Sequence, residues 1–407
     1  MPSWRVARPT DDGEFTRERR AAGCAAGSGR RRGRSMSAGP VVCIVLGTRP
    51  ELVKLAPVIR ACERRGVDYS LVHTGQHYSR ALDGVFFDDL SIPEPDHHLG
   101  VGSGSHAEQT GEMIEAVEAV VADEDPEIVV VQGDTNSSLA GGVVASKLPT
   151  TLAHVEAGLR SYDREMPEEV NRVLVDHVAD SLLAPTERAR ENLRAEGLPD
   201  ERIVVTGNTV VDAVREHARV AADRSTVLDD VGVEAGEFLL LTAHRQENVD
   251  DPDRFGRLLE GVARYADRVG LPVVYPVHPR AAERIESSGV DVPDAIRTVE
   301  PLRYLDFLRL EDDAALVFTD SGGVQEEACV LGTPCVTLRD STERPETVTV
   351  GANRVAGVDP ESVVAAAEAM CDRPGDWENP FGDGDAADRV LDALVGSRSE
   401  SDREVTT

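Results

Sequence analysis

An α/β protein built on parallel, doubly wound sheets is what this sequence predicts. Short apolar runs of strand length alternate with helix-length amphipathic segments from Val41 onward. The alternation runs twice, in two sets of about five strands, with the break near residues 203–207. The residues that follow the strands are Gly-rich or charged, as befits the ligand-binding edge of an open parallel sheet. About ten strands exceed one comfortable core, so two Rossmann-like domains are expected.

In order, VVCIVLG (41–47) reads as a buried strand, and Pro50, at a first-turn position, opens a helix through Arg65. YSLVHT (69–74), EIVVVQ (127–132), TTLAHV (150–155) and SLLAP (181–185) are further strands, separated by helices. After Gly207 come EFLLLTA (237–243), PVVYPV (272–277), AIRTV (295–299), AALVFT (314–319) and PCVTL (334–338). The domains are expected at 41–205 and 206–380. A final helix follows over 386–394, then a polar tail at 397–407.

The first forty residues differ in kind. Residues 1–38 carry nine Arg against four acidic groups and little to bury, whereas the whole chain of 407 residues has a net charge of −31. Segment 1–40 is therefore expected to be a disordered basic extension, with Met36 the expected translation start. The acidic remainder repels phosphate backbones, which excludes general nucleic-acid binding. No run of about eighteen apolar residues exists, so a spanning helix is not expected. Six cysteines without a C-x-x-C give neither a disulfide framework nor a zinc site of the usual spacing, and the chain reads as soluble and cytoplasmic. Only Lys54 and Lys147 are lysines, and aromatics are 4%; with the acidic excess, this suits a protein hydrated in concentrated salt.

Candidate chemistry lies at the strand ends. Asp134 and Glu156 each follow a strand, and Glu168 follows Met166-Pro167 at a helix start. Three carboxylates in one cleft would have their acidities pushed apart, as acid/base work requires, although a lone Asp after a strand also serves as an N-cap. His244 ends a strand beside Arg245. Arg49 and Lys54, about one turn apart at a helix start, are candidates for a phosphate clamp. Ser321 can cap a helix, while Gly322 and Gly323 leave backbone N–H groups open to an anion. Glu327, nearly two turns into that helix, can accept from hydroxyls or lie on its exposed face. Gly102–Ala107 satisfies G-x-G-x-x-A but follows a loop, not a strand, and His97-His98 reads as loop surface.

Together these pieces resemble the non-hydrolysing UDP-N-acetylglucosamine 2-epimerases. The matches are GTRPE (47–51), TGQHY (74–78), GDTN (133–136), HVEAGLRS (154–161), PEEVNR (167–172), TGNTVVDA (206–213), AHRQEN (243–248), YPVHP (275–279), TDSGGVQEEA (319–328) and RDSTERPE (339–346), in the family's order. The resemblance implies a glycosyltransferase-B-like pair of domains with the active site in the cleft between them. The 206–380 domain would bind UDP, and segment 381–396 would return to the N-terminal domain.

It also implies interconversion of UDP-GlcNAc and UDP-ManNAc by elimination of UDP to a 2-acetamidoglucal and re-addition, without metal or cofactor, in a homodimer. Asp134, Glu156 and Glu168 then resemble the acid/base carboxylates and His244 the essential His. Arg49, Lys54 and Ser321-Gly322-Gly323 resemble the phosphate side, Glu327 the ribose ligand, Arg344 a cleft Arg, and Phe307 the aromatic near uracil. Gln76 and His77 resemble part of an activating site, although Tyr78-Ser79 departs from the usual basic continuation. The alternatives are a UDP-2,3-diacetamido-sugar epimerase, a hydrolysing epimerase and a glycosyltransferase of the same scaffold. Three carboxylates without an evident acceptor site disfavour the last.

Overall fold

The structure, a computed structural model, describes residues 42–75, 86–102, 104–371, 373 and 375–396. The expected basic extension, the polar tail, Gln76 and His77 lie outside the described residues.

Thirteen strands among the described residues form two sheets, every pairing parallel. The first holds β1 (Val42–Leu46), β2 (Tyr69–His73), β3 (His97–His98), β4 (Ile128–Gln132), β5 (Thr151–Val155), β6 (Ser181–Ala184) and β7 (Ile203–Val205), in the order β3-β2-β1-β4-β5-β6-β7. The second holds β8 (Leu239–Thr242), β9 (Val273–Pro276), β10 (Ile296–Val299), β11 (Leu316–Thr319), β12 (Cys335–Thr337) and β13 (Asn353–Val355), in the order β10-β9-β8-β11-β12-β13. This is a two-domain α/β fold. In each sheet the winding direction reverses between the first strand and its neighbour, β1/β4 and β8/β11. Those two points are where open parallel sheets receive ligands.

The strands are apolar throughout because both faces are covered. Along β1, Val42, Ile44 and Leu46 enter one core cluster while Cys43 and Val45 enter the cluster on the opposite face, all fully buried. Each such aliphatic contributes about 2 kcal/mol through burial. Two helices tie the sheets into one unit. Thr209–Arg224 places Ala213 in the first sheet's core and Val210, Val211 and Val214 in a cluster with Leu308, Cys329 and Phe381. The final helix, Ala386–Gly396, sends Ala387, Val390, Leu391 and Leu394 into the first sheet's core. Its first turn donates Ala386 and Ala387 N–H groups to Asp212 at 3.2 and 2.9 Å.

Three strands differ from the sequence reading. His97-His98 is not loop surface: it pairs with Val72 and His73 as an edge strand, and His97 Nε2 meets Glu124 Oε1 at 2.8 Å. β7 and β13, three residues each, close the far edges of the two sheets. Gly102–Ala107 leads into the N-terminus of the His106–Glu124 helix, where Ser105 caps Glu108 N–H. No helix among the described residues is long and apolar enough to cross a membrane.

Candidate active site

At the first switch point the backbone after β1 turns at Gly47, where an added Cβ would stand 2.0 Å from Thr74 Oγ1 and 2.2 Å from Ser137 Oγ. Only glycine fits there. Glu51, 1% exposed, stitches this turn to the turn after β4. Its Oε2 accepts from Gly47 N–H at 3.0 Å and from Thr48 N–H and Oγ1 at 2.8 Å. Its Oε1 accepts from Thr135 Oγ1 at 2.8 Å and Ser138 Oγ at 3.1 Å. Burial pushes the Glu51 carboxyl up to about 6 even though these donors oppose the shift. Arg49, the first residue of the Arg49–Arg65 helix, is exposed with its guanidinium 5.7 Å from the Phe86 ring centroid.

One turn further along that helix, Lys54 enters a cluster that joins the two sheets' switch points. Lys54 Nζ lies 2.6 Å from Glu156 Oε1 and 3.3 Å from Glu326 Oε2. Arg344 Nε donates to Glu326 Oε1 at 2.7 Å, and its NH2 lies 4.0 Å from Glu156 Oε1. Asn208 reaches both carboxylates, at 3.5 Å from Glu156 and 3.3 Å from Glu326, and Gln132 Nε2 donates to Glu156 Oε2. Burial works against ionisation of Glu156, but Lys54, Arg344 and Arg172 outweigh it and hold the carboxyl below its ordinary value. Glu156 and Glu326 in turn overcome burial, and the opposing charge of Arg344, to raise Lys54. Two cations thus balance two almost fully buried carboxylates. Glu156 itself has φ +68°, a left-handed backbone that costs a non-glycine residue on the order of 1 kcal/mol or more and marks functional turns.

The turn that carries Asp134 stands beside Glu156: a Cβ built on Gly133 would lie 3.6 Å from Glu156 Oε2. Arg172, on the Pro167–Val178 helix, grips the Asp134 carboxylate through Nε at 3.1 Å and through NH2, and Asn171 donates to the Asp134 carbonyl at 3.0 Å. Glu168, in the first turn of that helix, is exposed, and no hydrogen bond or ion pair joins it to Asp134 or Glu156. The structure therefore brings Asp134 and Glu156 together and leaves Glu168 on the solvent side of the same helix.

At the second switch point Asp320, fully buried after β11, accepts from His244 N–H at 3.1 and 3.0 Å, Arg245 N–H at 3.0 Å and Asn248 Nδ2 at 3.1 Å. It also faces His244 Nδ1 at 3.4 Å. Burial lowers the His244 ring below its ordinary value against the pull of Asp320, and Arg245 reinforces the lowering.

Ser321 occupies the N-cap of the Gly322–Leu331 helix, but its side chain makes no capping bond, contrary to the sequence expectation. The first N–H groups of that helix are therefore unclaimed by a cap and the dipole favours an anion there. Glu326 on this helix, not its neighbour Glu327, faces the Lys54 and Arg344 cations. Glu327 turns toward Tyr304 and the fully buried Glu311, and burial beside Glu326 pushes it up to about 7. Phe307, half-buried, packs with Leu302 and Val299 against the core of the second sheet. Among the described residues no group of three or more His, Cys, Asp or Glu is placed to hold a metal ion.

Sequence reasoning passed over Glu51, Gln132, Asn208, Arg172, Asp320 and Glu326. The T-x-x-E pattern of Thr48 and Glu51 was the one local signal; it forms a capping box here.

Two parallel α/β sheets with facing switch points, joined by buried ion pairs, define a two-domain enzyme of glycosyltransferase-B-like architecture. Within that class the chain belongs to the UDP-N-acetylglucosamine 2-epimerase family, whose defining pattern matches residues 60–395. It is 47% identical over 364 residues to the UDP-N-acetylglucosamine 2-epimerase of Methanocaldococcus jannaschii, covering 86% of this chain and 98% of that one. The enzyme of the same name from Methanococcus maripaludis is 43% identical over 361 residues, covering 87% and 98%. The crystal structure of the M. jannaschii enzyme in complex with UDP-GlcNAc and UDP superposes with a TM-score of 0.81 at 46% identity, covering 87% of this chain and 99% of that one.

Proposed function

We propose that this chain interconverts UDP-GlcNAc and UDP-ManNAc. A carboxylate takes the C2 proton as the C1–O bond to UDP breaks and its electron pair leaves with the diphosphate, giving a bound 2-acetamidoglucal and UDP. Protonation of C2 on the opposite face, with return of the UDP oxygen to C1, yields the epimer. The observation that carries this reading is the buried cluster of Lys54, Glu156, Glu326 and Arg344 between the two switch points. It supplies an ionised carboxylate beside cations able to take up a departing diphosphate.

Asp134, Glu156 and Glu168 serve as the acid/base set, and Glu168 reaches the sugar when the lobes close on substrate. Arg49, Lys54, Arg344, His244 and the uncapped N–H groups around Ser321, Gly322 and Gly323 receive the diphosphate. Glu327 takes the ribose hydroxyls and Phe307 lies by the uracil.

The enzyme acts as a homodimer. Val170, Leu174 and Val178 form one stripe on the outer face of the Pro167–Val178 helix, each 41–49% exposed, with Tyr162 beside them 68% exposed. A second copy covers that stripe. Five free cysteines among the described residues suit a reducing cytoplasm.

The test is to incubate purified protein with UDP-GlcNAc and separate the products by anion-exchange chromatography. UDP-ManNAc as the sole product supports the reading. Free ManNAc with UDP would replace it with a hydrolysing reaction, and an inert UDP-GlcNAc would point to a modified sugar.

A further inference from the structure

The Pro167–Val178 helix does more than carry Glu168. From its buried side Asp176, fully buried, accepts from His154 Nδ1 at 2.7 Å through Oδ1 and from Gly158 N–H at 3.2 Å through Oδ2. The other ring nitrogen of His154, Nε2, lies 2.8 Å from the Gly133 carbonyl oxygen. A carbonyl oxygen can only accept, so Nε2 carries a proton; a carboxylate in the same position opposite Nδ1 requires a proton there too. His154 therefore donates on both sides.

Charge balance agrees. Arg160 NH1 lies 2.7 Å from Asp176 Oδ2, while its Nε and NH2 meet Glu196 at 2.7 Å, which makes a row of alternating sign from the buried His154 out to the exposed Glu196. Although burial opposes it, His154 and Arg160 hold the Asp176 carboxyl below its ordinary value.

This row ends on the two turns that carry the adjacent carboxylates. Gly133 immediately precedes Asp134, and Gly158 lies two residues past Glu156, whose left-handed backbone needs support. We propose that His154 and Asp176 are positioning residues for epimerisation, acting as one ionic unit that fixes the turn of Asp134 against the turn of Glu156. Neither touches the cleft: both side chains are 0% exposed. The proposal rests on the epimerase reading above.

The test uses Asp176→Asn, which sets an amide N–H against the donors of His154 or Gly158 and Arg160, together with His154→Gln and the double variant. Turnover of UDP-GlcNAc by each single variant, counted per UDP-binding site, is expected to fall about 10- to 100-fold while KM and the UDP dissociation constant stay within about twofold, because none of the groups that receive the diphosphate is carried on the Gly133 or Gly158 turns. The double variant should be no slower than the worse single variant within about threefold, as for groups that act as a unit.

Turnover per UDP-binding site equal to wild type, with only a lowered unfolding temperature, would overturn the proposal and leave a purely structural pair. So would equal rises in KM and UDP dissociation constant with kcat unchanged. If a variant does not fold, 15N-histidine NMR of the wild-type protein decides: the account requires one buried ring with both N–H protons slow to exchange, and its absence would overturn it. Wild-type protein inert on UDP-GlcNAc would instead sink the epimerase reading.

Discussion

Replacing Lys54 by Met removes a charge from the centre of the cleft while keeping most of the side-chain volume. Lys54 stands 2.6 Å from Glu156 and 3.3 Å from Glu326, with the three side chains 12%, 6% and 1% exposed. Without it, the nearest cation left to the two buried carboxylates is Arg344, which is 2.7 Å from Glu326 but 4.0 Å from Glu156. Breaking a buried pair costs about 3–5 kcal/mol, and since Arg344, Gln132 and Asn208 remain, about 3 kcal/mol is expected here near pH 7. Because Glu156 is held below its ordinary value, its contribution to stability is present above about pH 4.5 and is lost as pH falls. The deficit of Lys54→Met should therefore be largest near pH 7 and shrink progressively as pH falls below about 4.5 in thermal unfolding followed by circular dichroism.

With its chief cation gone, Glu156 takes up a proton at higher pH than in the wild type. The acid limb of the kcat profile for UDP-GlcNAc should move upward, costing at least about tenfold at pH 6 with partial recovery at pH 9. An acid limb that stays in place, with an unchanged unfolding temperature at pH 7, would refute the electrostatic reasoning.

Four further outcomes are expected. Asp134→Asn should bind UDP as the wild type does in titration calorimetry yet lose at least about 10²-fold in turnover. Asp320→Ala orphans two backbone N–H groups and Asn248, so it should cost about 3 kcal/mol in denaturant unfolding and weaken UDP binding about tenfold by releasing the His244 turn. Burial beside Glu326 raises Glu327 to about 7, and burial beside Glu327 raises Glu311, so the folded state holds protons whose stabilisation is complete below about pH 4.5 and lost as pH rises; Glu311→Gln removes one of these two titrating groups and should flatten the fall in unfolding temperature between pH 5 and 8. With a net charge of −31, the fold should loosen and turnover drop when potassium chloride is reduced from about 2 M to about 0.05 M, and an unchanged spectrum with full activity would contradict that.

The long strands were readable because a parallel strand covered on both faces must be apolar at every position, as along Val42–Leu46 and Ile128–Gln132. β3, β7 and β13 carry no such signal. They are two or three residues long at or near sheet edges; His97 is held by Glu124, and Val204 is 39% exposed. The site was legible where chemistry sits next to a strand end, as with Asp134, Glu156 and His244.

What joins those residues was not legible, because it is tertiary. Asn208 reaches Glu326 across 118 residues and Lys54 reaches Glu156 across 102. The Glu326-Glu327 pair shows the limit most sharply. Adjacent helix positions point about 100° apart, and only packing against Tyr304 and Glu311 decides which carboxylate meets the cations. Ser321 looks like a cap in sequence, yet its side chain leaves the helix start open, and an uncapped N-terminus beside a cleft is what an anion site requires.

The most direct measurement of the central claim is proton NMR of the purified protein with UDP-GlcNAc in deuterated, high-salt buffer. The account predicts UDP-ManNAc carrying deuterium at C2 and wash-out of the C2 proton from the remaining UDP-GlcNAc. UDP-ManNAc that retains the C2 proton in full, or no conversion while UDP still binds, would contradict epimerisation by proton exchange at C2.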